Sequence, residues 1–252
     1  MNLPNRHIQN LLDCLTRSRL SFALYRLPWT DECYFVLQQS GDVEQLADIR
    51  ELNKKKGFVM APFLQSDHHP LIVIRPDITA YDWDEISEAI SSLECADALL
   101  TCKNQTEKLS PFVSEETDKE RYTQAFERFI TPLQKKHFQK LVLSRSSTKH
   151  INDDFSPLAA FVRACNNYPR MMIYLCHTPV SGTWVGSTPE ILLSGHGKEW
   201  HTVALAGTMP MQNEVMPMDW NKKNQDEQGY VADYIRRIIK KFGNKMNEKG
   251  PY

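Results

Sequence analysis

Three ionisable side chains stand where their surroundings make them chemically interesting. Glu190 lies in the stretch 183–193, TWVGSTPEILL, among residues that otherwise favour burial. Pro189 fixes its own φ and biases Thr188 towards extended backbone, so the stretch reads as a tight turn at Gly186 and Ser187 feeding a strand that Glu190 opens. Alternation then puts Glu190 on one face with Leu192, and Ile191 and Leu193 on the other. If both faces are covered, the carboxyl loses water, its charged form is disfavoured, and it suits proton donation near neutrality. If one face is open, it is a strand-end glutamate that reaches solvent. Glu227 falls three and four residues before Tyr230 and Val231, on the apolar stripe of a helix expected over 219–242. A carboxylate there must be paired, protonated or bound to a cation, or it serves as an N-terminal acid helped by the helix dipole. Lys140 heads KLVLSR at 140–145, a strand in which Lys140, Val142 and Ser144 share a face. Taken alone, it is a lysine whose stem snorkels along that face.

The elements that must position these groups follow from periodicity. Ile8, Leu11, Leu12 and Leu15 have helical spacing, so an amphipathic helix opens the chain. Residues 21–27 and 33–38 read as a hairpin-like pair of strands, and Val43, Leu46, Ile49 and Leu52 return to helical spacing. Strands are expected at 58–63 and 71–74. Residues 104–118 form a polar connector, and Thr117 with Glu120 reads as a capping box for a helix that Pro132 kinks or restarts. Ser156 and Pro157 start another helix, running to about residue 166. Strands at 171–176, 183–185, 190–194 and 200–206 then follow, with short connections that favour antiparallel pairing. The final helix carries Tyr230, Val231, Tyr234, Ile235, Ile238 and Ile239 on its apolar side, and Gly243 closes it.

At 252 residues and 41% hydrophobic, the chain can bury a core, and a single domain is expected over 1–252, with an N-terminal portion at 1–112 and a second at 113–252. The net charge of -1, with basic and acidic residues interspersed, argues against nucleic acid or an anionic membrane as partner. The six cysteines form no Cys-x-x-Cys pair and read as reduced core thiols. With no leader-like start and no apolar run of membrane-spanning length, a cytoplasmic protein is expected.

KLVLSR (140–145), GSTPEILL (186–193), ALAGT (204–208) and EQGYV (227–231), in this order and spacing, resemble the chorismate-utilising enzymes, and within them the isochorismate synthases. GFVMAPF at 57–63 resembles the segment those synthases carry ahead of this core. The resemblance implies an α+β fold of antiparallel sheets packed face to face with helices outside. It implies Mg2+-dependent isomerisation of chorismate to isochorismate, with Lys140 as base for the attacking water and Glu190 as acid for the departing hydroxyl. A free lysine near pKa ~10.4 costs about 4 to 5 kcal/mol to deprotonate at neutral pH, so the base role needs desolvation or a nearby cation. Glu227 corresponds to a magnesium carboxylate, and Ala206, Gly207 and Thr208 to a turn whose N–H groups hold a substrate carboxylate. Relatives that make anthranilate carry glutamine at position 140, and the aminodeoxychorismate branch carries a lysine nucleophile at position 206. Lys140 and Ala206 therefore point to water as nucleophile. Salicylate synthases share the lysine and are the nearest alternative. Menaquinone formation is the expected pathway. Some relatives have an acid where Asn224 stands, and the family continues beyond the position of Tyr252. That C-terminal third would carry a second magnesium carboxylate, so a C-terminal remainder or partner chain is expected to complete the site. The alternative is a catalytically incomplete fragment that acts only in binding or assembly.

Overall fold

Alternation along three central strands decides the layering of the first part of the chain. The computed structural model describes residues 1–39, 41–93, 115–152, 154–211, 219–243 and 245–250. These fall into two compact units, Met1–Lys108 with Ile151–Pro189, and Leu109–His150 with Glu190–Tyr252. In the first, β1 (Ser21–Arg26), β2 (Tyr34–Gln38), β6 (Ile78–Tyr81), β7 (Met172–Thr178) and β8 (Gly182–Thr188) form an antiparallel sheet in the order β6-β2-β1-β7-β8. Phe22, Leu24, Phe35, Leu37, Ile173 and Leu175 point to one face. There they meet the buried stripes of α1 (Arg6–Leu15), α2 (Asp82–Ser91) and α4 (Pro157–Asn167). Ala23, Val36 and Cys176 point to the other face, where Ile72 and Ile74 of a three-stranded sheet cover them. That second sheet has the order β3-β5-β4, from β3 (Glu44–Leu46), β5 (Leu71–Ile74) and β4 (Phe58–Met60). The expected α+β class, with antiparallel sheets face to face and helices outside, is what these residues build, because period 2 in the strands and period 3.6 in the helices supply apolar faces that must be covered.

Ser156 caps α4 as expected, accepting from the Ala159 N–H with Pro157 in the first turn. The other end of α4 is closed by a side chain from β1. Arg26 is 1% exposed, and its guanidinium donates to the carbonyls of Cys165, Tyr168, Pro169 and Leu27 at 2.7–3.3 Å. A cation at a helix C-terminus answers both the orphan carbonyls and the dipole. Cys33, Cys165 and Cys176 are buried thiols and Cys14 a half-buried one, none of them in a disulfide, while Cys95 and Cys102 lie outside the described residues. Burial pushes the Cys33 and Cys176 thiols up to about 12, which makes them inert packing groups.

The second unit contains α3 (Glu115–Gln134), the hairpin β9 (Ser194–His196) and β10 (Glu199–His201), and α5 (Lys222–Ile239). Among the described residues, every buried apolar cluster belongs to the first unit. In the second, Leu192 is 85% exposed and Val142 75%. Polar bonds tie its segments instead. Arg145 Nε donates to Asp118 Oδ2 of α3, and α5 is capped by Asn221, which accepts from the Asn224 N–H.

Several expected elements differ, each for a physical reason. Residues 140–145 are not a strand: they keep an alternation, with Leu141 and Leu143 half-buried against exposed Val142 and Ser144, but among the described residues no neighbouring segment supplies ladder bonds. The strand expected from Glu190 begins only at Ser194, preceded by a loose continuation in which Ile191 O accepts from Val203 N–H at 3.4 Å. β10 likewise stops at His201, short of the expected 206. Gly186 and Ser187 are not a turn but lie within β8, paired with Tyr174 and Ile173. A Cβ at Gly186 would sit 2.2 Å from the Tyr174 ring, so the glycine makes room for an aromatic on the partner strand. The helical spacing at 43–52 resolves into β3 and a short 3-10 helix, Ile49–Leu52, capped by Asp48, because β5 offers a ladder partner. α3 begins at Glu115, so Thr117 lies within it rather than at its cap. α2 and β6 have no counterpart in the expected elements.

Candidate active site

The inward line of α5 carries Asn224, Glu227, Gln228, Val231 and Ile235, at intervals of three and four residues. The polar members of that line must find partners, and the segments beside α5 provide them. Lys140 Nζ donates to Glu227 Oε1 at 2.9 Å, and Lys223 Nζ, one turn earlier on the helix, donates to Oε2 at 2.7 Å. Of the three ways of accommodating a carboxylate on an apolar stripe, the structure shows pairing. Lys140 and Glu227, 87 positions apart, are joined directly, with side chains 29% and 26% exposed.

The hydrogen bond from Lys223, then that from Lys140, holds the Glu227 carboxyl down at about 2, against the opposing effect of burial. Lys223 is 78% exposed, so solvent screens its contribution, and the half-buried Lys140 bond is the more durable of the two. The folded value lies below the unfolded one near ~4.3, so the pair's stabilisation is complete above about pH 5 and is lost as the pH falls towards 2. Acid unfolding followed by circular dichroism should therefore show a shallower loss of stability over this window in Glu227→Gln than in the wild-type chain. Parallel curves would remove the pair from the stability balance.

The 206–208 turn is held against the same helix. Gln228 brackets it, accepting from the Ala206 N–H at 2.8 Å and donating to the Ala204 carbonyl at 2.6 Å. Asn224, 4% exposed, donates to the Thr208 carbonyl at 3.2 Å. Gly207 has φ +76°, and a Cβ there would lie 3.1 Å from Asn224 Cβ, so both the left-handed backbone and the approach to α5 call for glycine. The Ala206 amide is occupied by Gln228; among the described residues, the Gly207 and Thr208 amides have no partner. Lys140, Glu227 and residues 206–208 are thus gathered by one helix. Glu190 is exposed on the stretch between β8 and β9, so the desolvated strand-face carboxyl envisaged for it is not what is seen.

An open cleft of about 190 Å3 lies between α3 and the segment that follows Lys140, lined by Asp118, Arg121, Tyr122, Ser144, Arg145 and Ser146. None of the six expected site residues lines it. Among the described residues, no group of three or more His, Cys, Asp or Glu side chains is placed to hold a metal. Glu227 by itself offers hard oxygens of the kind Mg2+ takes, commonly one or two carboxylates completed by water and substrate oxygens. The donor chemistry fits, on the condition that ammonium groups move off those oxygens.

Lys223 and Gln228 were missing from the sequence expectations, and Asn224 entered them only as the residue that stands where some relatives have an acid. Asn224 and Gln228 were discoverable by the argument that singled out Glu227, since a polar side chain on an apolar helix stripe needs a partner. Lys223 was discoverable from its place four residues before Glu227.

A family model described as chorismate binding enzyme matches residues 49–251, which takes in every segment of this site. No curated protein matches the chain. With the match spanning most of its length, the chain belongs to the chorismate-binding enzyme family.

Proposed function

We propose that this chain is an isochorismate synthase, moving a hydroxyl between two carbons of the chorismate ring. The observation that carries the reading is Lys140 held beside Glu227 on the helix that also carries the 206–208 turn. Water adds to one end of the allylic system while the old hydroxyl departs from the other, with the double bond shifting between them. Lys140 takes the proton of the attacking water, and Glu190 gives its proton to the leaving oxygen. The Lys140 ammonium that now donates to Glu227 must leave it and lose its proton before it can act as base. Glu227 would hold magnesium, which when bound neutralises the charge of a substrate carboxylate. Gly207 and Thr208 would donate their N–H groups to a substrate carboxylate. Lysine at 140 and alanine at 206 favour water over ammonia or a covalent lysine as nucleophile, and the amino-terminal resemblance favours menaquinone formation as the use of the product.

The test is product analysis by chromatography after incubation with chorismate and Mg2+. Isochorismate is the expected product. Salicylate with pyruvate would reassign the chain to the salicylate-forming branch, and anthranilate formed with ammonia would overturn water as the nucleophile.

A further inference from the structure

The Glu227 carboxylate has two ammonium partners of different standing. Lys140 reaches it from a distant segment and is half-buried, whereas Lys223 reaches it from the preceding turn of α5 and is largely in solvent. We propose that Lys223 sets the affinity of Glu227 for a divalent cation: its ammonium occupies Oε2, and an incoming cation takes that oxygen only by displacing it. The inference rests on reading Glu227 as the cation ligand.

Three observations support the assignment. First, the 2.7 Å bond to Oε2 places a positive charge where a second cation would have to sit, and like charges at that distance repel. Second, the pair runs from lysine to glutamate four residues on, the less favourable of the two helical orientations, and Lys223 stands in the first turn, where the helix dipole disfavours a cation. The bond is therefore weakly held. Third, an exposed stem lets Lys223 swing into water once displaced, so the competitor is removable.

The same turn contains a built-in control. Lys222 pairs with Asp226 at 2.7 Å in the same i,i+4 geometry, one position round the helix, and does not touch Glu227. Removing Lys222 changes the net charge of the turn by the same amount as removing Lys223 but leaves Oε2 occupied.

The experiment measures Mn2+ binding to the purified full chain without substrate, by the electron paramagnetic resonance signal of free Mn2+, in wild type, Lys223→Met, Lys222→Met, Lys223→Glu and Glu227→Gln. Lys223→Met should bind about three- to tenfold more tightly than wild type, and Lys222→Met within about twofold of wild type. Lys223→Glu places a second carboxylate one turn from Glu227 and should bind more than about tenfold more tightly. Glu227→Gln should abolish the site. Equal gains in Lys223→Met and Lys222→Met would show bulk charge at work and overturn the proposal, as would unchanged affinity in Lys223→Met. Both results leave Glu227 as ligand, provided that Glu227→Gln loses binding. Undiminished binding in Glu227→Gln, or no binding in any protein, would overturn the ligand reading and this inference with it.

Discussion

Lys140→Ala and Glu190→Gln should each lower chorismate turnover by about a hundredfold or more if these residues are the base and acid of the proposed mechanism, the usual contribution of such groups. The two substitutions fail in different ways, and this makes the result informative. Lys140→Ala removes the proposed base and also the half-buried partner of Glu227, so lost turnover alone would not separate chemistry from structure. Lys140→Arg separates them. Arginine keeps a cation against the Glu227 carboxylate but does not deprotonate in proteins, so the pair persists while the base is gone. An arginine variant with wild-type stability and lost turnover assigns Lys140 to the chemistry. Retained turnover in either Lys140 variant, measured as isochorismate formed, removes it from the mechanism. Glu190 is exposed, so the stability of Glu190→Gln should change by less than about 0.5 kcal/mol. A rate effect there is then a direct statement about proton donation.

Arg26→Met destabilises the first unit by about 2 to 4 kcal/mol, the cost of stranding a buried carbonyl and of removing a cation from a helix C-terminus. Methionine keeps most of the apolar stem and leaves the Cys165 carbonyl without its donor at the end of α4, while the Tyr168 and Pro169 carbonyls keep the N–H groups of Met171 and Trp29. The stranded carbonyl costs about 1 to 3 kcal/mol, and water has poor access to a side chain as buried as Arg26. Arg26→Lys should fall between, since one ammonium has three donors and lacks the planar fork that spans several carbonyls. Urea unfolding followed by circular dichroism checks both variants. A change below about 1 kcal/mol for Arg26→Met would mean that the helix end finds other partners.

Glu227 is the residue for which sequence reasoning reached furthest into the site. Its place among apolar helix positions required a partner, a proton or a cation, and the structure supplies Lys140 and Lys223. The KLVLSR stretch shows the opposite outcome. Its composition and alternation describe a strand, and the inward and outward pattern survives at Leu141, Val142 and Leu143, yet no strand forms there. A strand is a relation between two segments, and one segment's sequence carries only half of it. The same holds at Gly186, where a glycine beside a serine and before Thr188 and Pro189 suggests a turn. What makes the glycine necessary is the Tyr174 ring on the neighbouring strand, twelve positions away in sequence.

Local periodicity by itself determined α1, α4 and α5, the hairpin of β1 and β2 and the amphipathic line on which Glu227 sits. These depend on side chains within a few residues of one another, and repeat distances of 2 and 3.6 can be read from one segment. Only the tertiary structure decided that Arg26 closes α4, that Gln228 and Asn224 clasp the 206–208 turn, and that Lys140 is the residue that meets Glu227 across 87 positions. The physical reason is range. A buried polar group announces in the sequence that it must be bonded, but which partner answers is set by the packing of distant segments, and that information is shared among all of them.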